Sequence, residues 1–476
     1  MNISVLKQPY NYLLLLVLST IIGLLVTYLG ILTFIIIVAL SLIIVVWKKP
    51  LFGLYVVLLL FIINPLVVTR LMPTYLNISP LMVEVIGYGK DMLLLLLLMK
   101  VIVTKRIKLN AINFYLFILL LFALPYIFMN VNIIQGAMGY RYYFETIIMI
   151  FIASHLTNLH KSNLIVFVKG LIISSVVISL LGIYISIFLG IPFMFEVGYT
   201  NYNGAPHYSY LISGNNNILR VFGTFASPNN LATFLSIVII SQIIIKDEFK
   251  WKKFYWVTLF IQVLALFLTF SRSSWLAFLL CLLIYFLFLY RASKAIRNFI
   301  LATFITMCSG IIYILLHPEN AVWSLFVRTI TLQDSSTIGH IDSWINDFKF
   351  ILDNPLGIGL GLAGPKAFQE TGVYLVPENS YYLLAFEVGI IGMCLFLGFN
   401  IILFGVLLKK FKRYAGLNKK IIGIGLFSLL ILNFVFLFLP TIQEMEVTII
   451  AYTLIGLALG IKNDETHKLS GCGGCL

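Results

Sequence analysis

Apolar runs too long for a water-soluble fold recur along the whole chain, and they constrain everything else. Leu13–Leu18 and Met92–Met99 are unbroken aliphatic stretches inside longer runs. About 20 such residues cross the ~30 Å hydrocarbon core of a bilayer as a helix. Barrel strands would instead alternate apolar and polar residues in segments of about ten. Hydrophobic residues make up 61% of the 476, and charged residues only 11%, against roughly 25% charged in a soluble domain. A soluble enzyme and a disordered chain are both excluded. The expected fold is all-α: a polytopic integral membrane protein, residues 1–476 forming a single membrane domain.

Fourteen spans are expected, with twelve as the lower bound. They cover about 12–28, 31–47, 51–68, 82–103, 112–129, 143–157, 164–189, 229–245, 254–270, 274–290, 299–316, 380–408, 421–439 and 446–461. The first run is long and followed by a second, so it reads as a span rather than a cleaved signal.

Basic residues orient the spans. With the N-terminus in the cytoplasm, only eight of the 32 fall outside: Arg70, Lys90, Arg141, Arg220, Arg272, Arg328, Lys349 and Lys366. That asymmetry follows the positive-inside rule and places both termini in the cytoplasm, with 462–476 as a cytoplasmic tail. The net charge of +14 is therefore a matter of topology, and no nucleic acid is expected as a partner. Cys281, Cys308 and Cys394 lie in apolar runs and read as core fillers. Cys472-Gly-Gly-Cys475 is too isolated for a metal site.

Two outer connections are unusually long: residues 190–228, and residues 317–379 between the eleventh and twelfth spans. In the second, Ile341, Trp344, Ile345, Phe348, Ile351 and Leu352 recur at helical spacing opposite Asp342, Asp347 and Lys349. That pattern predicts an amphipathic helix on the membrane surface or over a cavity. Asn354-Pro355 and Gly357, Gly359 and Gly361 end it.

No Walker loop, dinucleotide fingerprint or zinc spacing is present, so neither cofactor nor metal is expected. The chemistry is sought in arginines on the side where positive charge is disfavoured. Arg220 opens Arg220-Val-Phe-Gly-Thr-Phe-Ala-Ser-Pro-Asn229-Asn230, and Arg272 sits in the tight turn Ser271-Arg272-Ser273. For either one alone, a snorkelling or salt-bridged arginine is an adequate reading. Together, two guanidinium forks suit the oxygens of a pyrophosphate. Ser227 as cap and Pro228 in the first turn predict a helix whose N-terminus adds partial positive charge there. Glu378, in Pro377-Glu378-Asn379-Ser380-Tyr381, could take a proton from an attacking hydroxyl. A solvated acid at a helix start explains it equally simply. Glu387 lies deeper and is expected to pair with an arginine or hold a helix junction. His340 is a weaker candidate base. Arg141, among Tyr140, Tyr142 and Tyr143, is expected at an interfacial aromatic belt or against lipid phosphate. Glu145, Glu444 and Glu446 could balance these charges.

These blocks, in this order, resemble the O-antigen ligase and O-antigen polymerase superfamily of bacterial membrane glycosyltransferases. The resemblance rests on Arg220–Asn230, on Ser271-Arg272-Ser273, and on Trp344 … Asn354-Pro355-Leu-Gly-Ile-Gly359 … Glu378-Asn-Ser-Tyr381 … Glu387-Val-Gly389, within roughly residues 210–400. It implies inverting, metal-independent glycosyl transfer at the outer face of the bacterial inner membrane. The donor would be a glycan on undecaprenyl pyrophosphate, with Arg220 and Arg272 on the pyrophosphate and Glu378 as base. Asn229, Asn379, Tyr381, His340 and Arg141 complete the expected substrate-binding set. Partners implied are the lipid-linked oligosaccharide, membrane lipid, a chain-length regulator and a flippase. Ligases of this superfamily usually carry His where Glu378 stands, and a basic residue near Gly339-His340. The first departure favours a Wzy-type polysaccharide polymerase, for O-antigen, lipopolysaccharide or capsule, over a ligase. A flippase for the same lipid-linked unit is the rival of another class, and a non-catalytic scaffold is the plainest one.

Overall fold

The computed structural model describes residues 31–76, 78–104, 110–130, 132–157, 161–199, 210–212, 215–286, 335–371 and 375–462. The expected spans 12–28 and 299–316, and the tail after residue 462, lie outside the described residues. Leaving aside the five-residue Met72–Leu76, the described α-helices are α1 (Ile31–Lys48), α2 (Pro50–Ile63), α3 (Pro80–Thr104), α4 (Ala111–Ala123), α5 (Ile133–Leu156) and α6 (Lys161–Tyr184), then α7 (Gly190–Glu196), α8 (Pro228–Ile244), α9 (Lys252–Leu268) and α10 (Arg272–Ile284). They continue with α11 (Ser335–Asp353), α12 (Gly364–Thr371), α13 (Ser380–Arg413), α14 (Gly416–Phe436) and α15 (Met445–Leu459). A small antiparallel hairpin, β1 (Leu211–Ile212) with β2 (Asn215–Leu219), is the one sheet among them. The expected all-α membrane architecture is therefore observed.

Four of these helical segments are long and apolar enough to cross a membrane: Pro50–Leu76, Asn163–Glu196, Ser380–Arg413 and Gly416–Phe436. Five other apolar helices run 10–17 residues. One of them, α8, would reach about 26 Å at 1.5 Å per residue. Helix α5 begins ten residues before its apolar run. The Asn132 side chain accepts hydrogen bonds from Ile134 N (3.0 Å) and Gln135 N (3.4 Å) and so sets the start. A cap fixes that boundary, and hydropathy does not.

Helix α15 sits at the centre, buried from Met445 to Ala458, against α5 on one side and α14 on the other. Close approach needs small residues there. A methyl at Gly456 would lie 2.7 Å from the Ile150 carbonyl of α5. Lipid tails give no hydrophobic drive to helix pairing, so such close backbone packing carries the association.

Helix α13 is broken. Gly389 adopts φ 74° and ψ 175°, which frees the carbonyls of the preceding turn. The chain after α11 fills the gap. Ile358 N donates to Phe386 O (2.8 Å), Gly359 N to Glu387 O (3.0 Å), and Ile390 N to Pro355 O (3.0 Å). Irregular backbone at this depth is tolerated only where protein satisfies it. A Cβ at Gly357 would stand 2.5 Å from Gly389 N, so the glycine is needed for contact as well as for its φ of 79°. The predicted amphipathic helix is α11. It turns Phe350 onto Phe386 (ring centroids 4.3 Å) and Trp344 onto Phe438 (5.9 Å), and leaves Ile345, Phe348 and Leu352 exposed.

Candidate functional site

The Arg220 block and the Arg272 turn are brought together by backbone pairing. Past β2, Arg220 N donates to Tyr210 O (2.8 Å) and Val221 N to Leu268 O at the end of α9 (3.0 Å). The guanidinium is then fixed from two sides. Its Nε donates to Thr269 O (2.7 Å) and Nη2 to Asn229 Oδ1 (2.8 Å). Burial and the positive charge of Arg272 pull the Arg220 pKa down to about 10. It remains cationic at neutral pH, with a second cation close enough to be felt.

Arg272 is the exposed first residue of α10. The turn that presents it is strained: Phe270 has φ 52°, the left-handed region, which is rare for a bulky side chain. Such strain costs about 1–3 kcal/mol and clusters at functional sites. Trp275 holds the turn, donating Nε1–H to Leu266 O (2.8 Å) and stacking on Phe267 at 5.0 Å between ring centroids.

The N-termini of α8 and α10 open on the same side. Ser227 caps α8 by accepting from Asn230 N (3.2 Å), with Pro228 in the first turn. Thr233 and Ser274, near the two helix starts, meet at 3.2 Å between hydroxyls. Two guanidinium groups and two sets of helix-start N–H groups thus converge at one end of the bundle.

The end of the large loop packs beside the connection between α14 and α15. Asn379 is spent on the helix start: Oδ1 accepts from Tyr381 N (2.8 Å) and Tyr382 N (3.2 Å), and Nδ2 donates to Leu437 O (3.0 Å). Ser380 Oγ donates to Leu439 O (2.6 Å) and accepts from Ile442 N (3.2 Å). Tyr381 turns inward and donates to Asn433 Oδ1. Asn379 and Tyr381, two of the residues expected on substrate, thus make hydrogen bonds within the bundle. Glu378 directly precedes this cap and is half-buried. His340 lies in α11, with its side chain outside the described set.

Gln443 and Glu444 of the α14–α15 connection, and Glu446 in the first turn of α15, make more contacts than the sequence alone suggests. Gln443 Nε2 donates to Tyr143 OH (2.9 Å) and to Ala363 O (3.0 Å). Glu444 pairs with Lys366 of α12 at 3.1 Å. Burial alone would lower the Lys366 pKa, yet Glu444 and Glu446 raise it above the ordinary lysine value. Glu446 Oε1 accepts from Asn230 Nδ2 (2.9 Å) and Ala226 N (3.3 Å), one residue from the asparagine that holds Arg220. The signal was there: Gln443-Glu-Met-Glu446 is a polar cluster opening an apolar span. What it binds is set by residues more than 70 positions away.

Glu387 holds a junction, the second of its two expected roles. Its Oε1 accepts from Gly361 N and Ala363 N, both at 2.9 Å, and so anchors the glycine turn to broken α13. Arg141 has the carboxylate partner expected in Glu145 and a second one in Asp91. Its Nη2 lies 2.6 Å from Asp91 and its Nε 3.1 Å from Glu145, and Lys90 lies 3.3 Å from Asp91. Its guanidinium faces the Tyr88 ring at 5.2 Å, so the tyrosine setting is kept. The fork, however, is filled by carboxylates of α3 and α5 rather than offered to lipid phosphate. Among the described residues, no group of three or more His, Cys, Asp or Glu could hold a metal ion.

Residues 257–397 match the family model described as O-Antigen ligase. No curated protein matches the chain. The matched region contains the Arg272 turn, α11, the glycine turn, Glu378 and the break in α13, while Arg220 and the α14–α15 connection lie outside it. It supports a glycan-related membrane enzyme of the ligase or polymerase type. The chain is thus a helical membrane protein in which residues 257–397 are similar to the O-Antigen ligase family, consistent with the O-antigen ligase and polymerase superfamily.

Proposed function

We propose that this protein is a polysaccharide polymerase. It transfers a glycan chain from undecaprenyl pyrophosphate to the non-reducing end of a lipid-linked repeat unit, at the outer face of a bacterial inner membrane. The observation that carries the reading is the convergence of Arg220 and Arg272 at the starts of α8 and α10. Both cations would bind the donor pyrophosphate and stabilise charge as the bond from the sugar anomeric carbon to phosphate breaks. Glu378 would accept the proton of the acceptor hydroxyl as the new glycosidic bond forms on the opposite face, inverting the centre. The driving force comes from the donor's own pyrophosphate linkage. Delivery of repeat units by a flippase and length control by a separate regulator belong to the same reading.

A ligase acting on another acceptor is the second reading, because the matched family is described as O-Antigen ligase. Glu378, where ligases usually carry histidine, favours the polymerase. A size ladder of surface and lipid-linked glycan separates the two. Cells lacking the gene, or carrying Arg272→Ala, should show single repeat units, and wild type should restore the ladder. Long polymer held on the carrier and never passed to its acceptor would establish the ligase instead.

A further inference from the structure

The end of the bundle opposite Arg220 carries a second feature. Helix α8 starts beside Arg220 and α9 ends beside it, so the connection from Ile245 to Trp251 lies at the other end. There α6, α9 and this connection enclose an open hollow of about 230 Å³, lined by Lys169, Ile173, Phe249, Lys250, Trp251 and Phe254. That is far more than the roughly 10–15 Å³ a single water needs.

Its charge is one-sided. Lys169 donates to the Glu248 carbonyl, and its ammonium lies 5.3 Å from the Phe249 ring centroid. The acids nearest the hollow are already paired: Lys420 of α14 reaches Glu248 at 2.8 Å and Asp247 at 3.4 Å. Among the described residues, neither Lys169 nor Lys250 has a carboxylate partner. The hollow thus offers two ammonium groups with the local negative charge spent elsewhere.

The surface leading away from it is apolar. On α6, Lys169, Ile173 and Val177 follow at four-residue spacing, and the last two are 51% and 61% exposed. On neighbouring α9, Phe254 and Val257 are 42% and 57% exposed. Trp251, 76% exposed at the rim, is of the type that sits at headgroup level. A cationic hollow, an aromatic rim and a paired apolar track match an anionic headgroup with two acyl chains.

We propose that this hollow holds the phosphate of one anionic glycerophospholipid, between Lys169 and Lys250, with its chains along Ile173 and Val177 on one side and Phe254 and Val257 on the other. The site lies at the far end from Arg220 and Arg272, so its occupant is separate from the transfer site. The test is native mass spectrometry of the purified full chain, titrated with phosphatidylglycerol and with phosphatidylcholine of the same acyl chains. One phosphatidylglycerol should be retained in preference. Each lysine near the surface contributes about fivefold, so Lys169→Gln with Lys250→Gln should weaken retention about 25-fold. Lys169→Arg with Lys250→Arg should keep it, which separates charge from folding, and Lys49→Gln, between α1 and α2, should leave it unchanged. Equal retention of phosphatidylcholine, or undiminished phosphatidylglycerol on Lys169→Gln with Lys250→Gln, overturns the proposal. So does displacement of phosphatidylglycerol by undecaprenyl phosphate, which would make the hollow a carrier-lipid site.

Discussion

Two arginine sites in this molecule use the same side chain in opposite ways. Arg141 is neutralised inside the bundle: Asp91 and Glu145 fill its fork, and Lys90 completes a quartet with equal numbers of positive and negative groups. Arg220 is held by a carbonyl and an amide oxygen, and it stands close enough to Arg272 for that charge to lower its pKa. The first arrangement balances charge and ties α3 to α5. The second gathers like charge, beside a strained turn at Phe270 and two helix starts. An arginine on the unfavoured side of a membrane protein is therefore not informative by itself. What the guanidinium is bonded to separates a structural arginine from a phosphate-binding one.

That contrast can be broken by mutation. The largest effect is expected at the balanced site, on stability. Arg141→Ala leaves Glu145 without its cation and Asp91 with Lys90 alone, and should cost about 3 kcal/mol, the lower end of what breaking a buried pair costs. A lowered melting temperature and reduced protein level in detergent would show it, and Arg141→Ala with Asp91→Asn should recover part of the loss. Arg272→Ala should do the reverse. Removing one donor to a developing negative charge costs about 10²–10³ in rate, while the exposed side chain contributes little to folding, so melting should be unchanged. If Arg272→Ala unfolds the protein and Arg141→Ala merely slows polymer formation, the contrast is inverted.

A smaller effect sharpens the second site. Glu446 fixes the first turn of α8 through Asn230 and Ala226, next to the Asn229 that orients Arg220. Glu446→Ala should cost about 1.5–3 kcal/mol of transition-state stabilisation, the worth of hydrogen bonds to a charged group. Glu446→Gln keeps an acceptor oxygen and should stay within a few-fold of wild type in polymer yield. Equal loss in both variants would mean that the carboxylate acts through its charge. The effect most confined in space belongs to Gly389→Ala, where positive φ alone costs about 1–3 kcal/mol. A Cβ there would also meet the Pro355 carbonyl oxygen at 2.7 Å. The expected result is faster proteolysis of the 354–361 turn with α14 and α15 still protected.

Much of this was legible in the sequence because membrane helices and positional charge are local signals. The apolar runs located the helices, and the spacing of Ile341, Trp344 and Phe348 located α11. The Arg220 and Ser271-Arg272-Ser273 blocks stand out by charge on the unfavoured side of the membrane. The rest depended on partners distant in the chain. The cap that Asn379 makes is not legible in the sequence, because one of its partners, Leu437 O, lies 58 positions away. Gly389 reads as a small residue within an apolar span. Its break is supported by Pro355 and Ile358, some thirty residues earlier. Arg141 lay among tyrosines as expected, but Asp91, fifty positions away in another helix, fills its fork.

The most direct test is reconstitution. Purified protein in vesicles would be given a single lipid-linked repeat unit as both donor and acceptor, and the products sized. The expected result is a ladder of lengthening chains on the carrier with release of undecaprenyl pyrophosphate, and no ladder from Arg272→Ala that melts like wild type. A ladder of equal length from Arg272→Ala, or wild type that extends no chain and transfers glycan only to an added acceptor of another kind, would contradict the polymerase account.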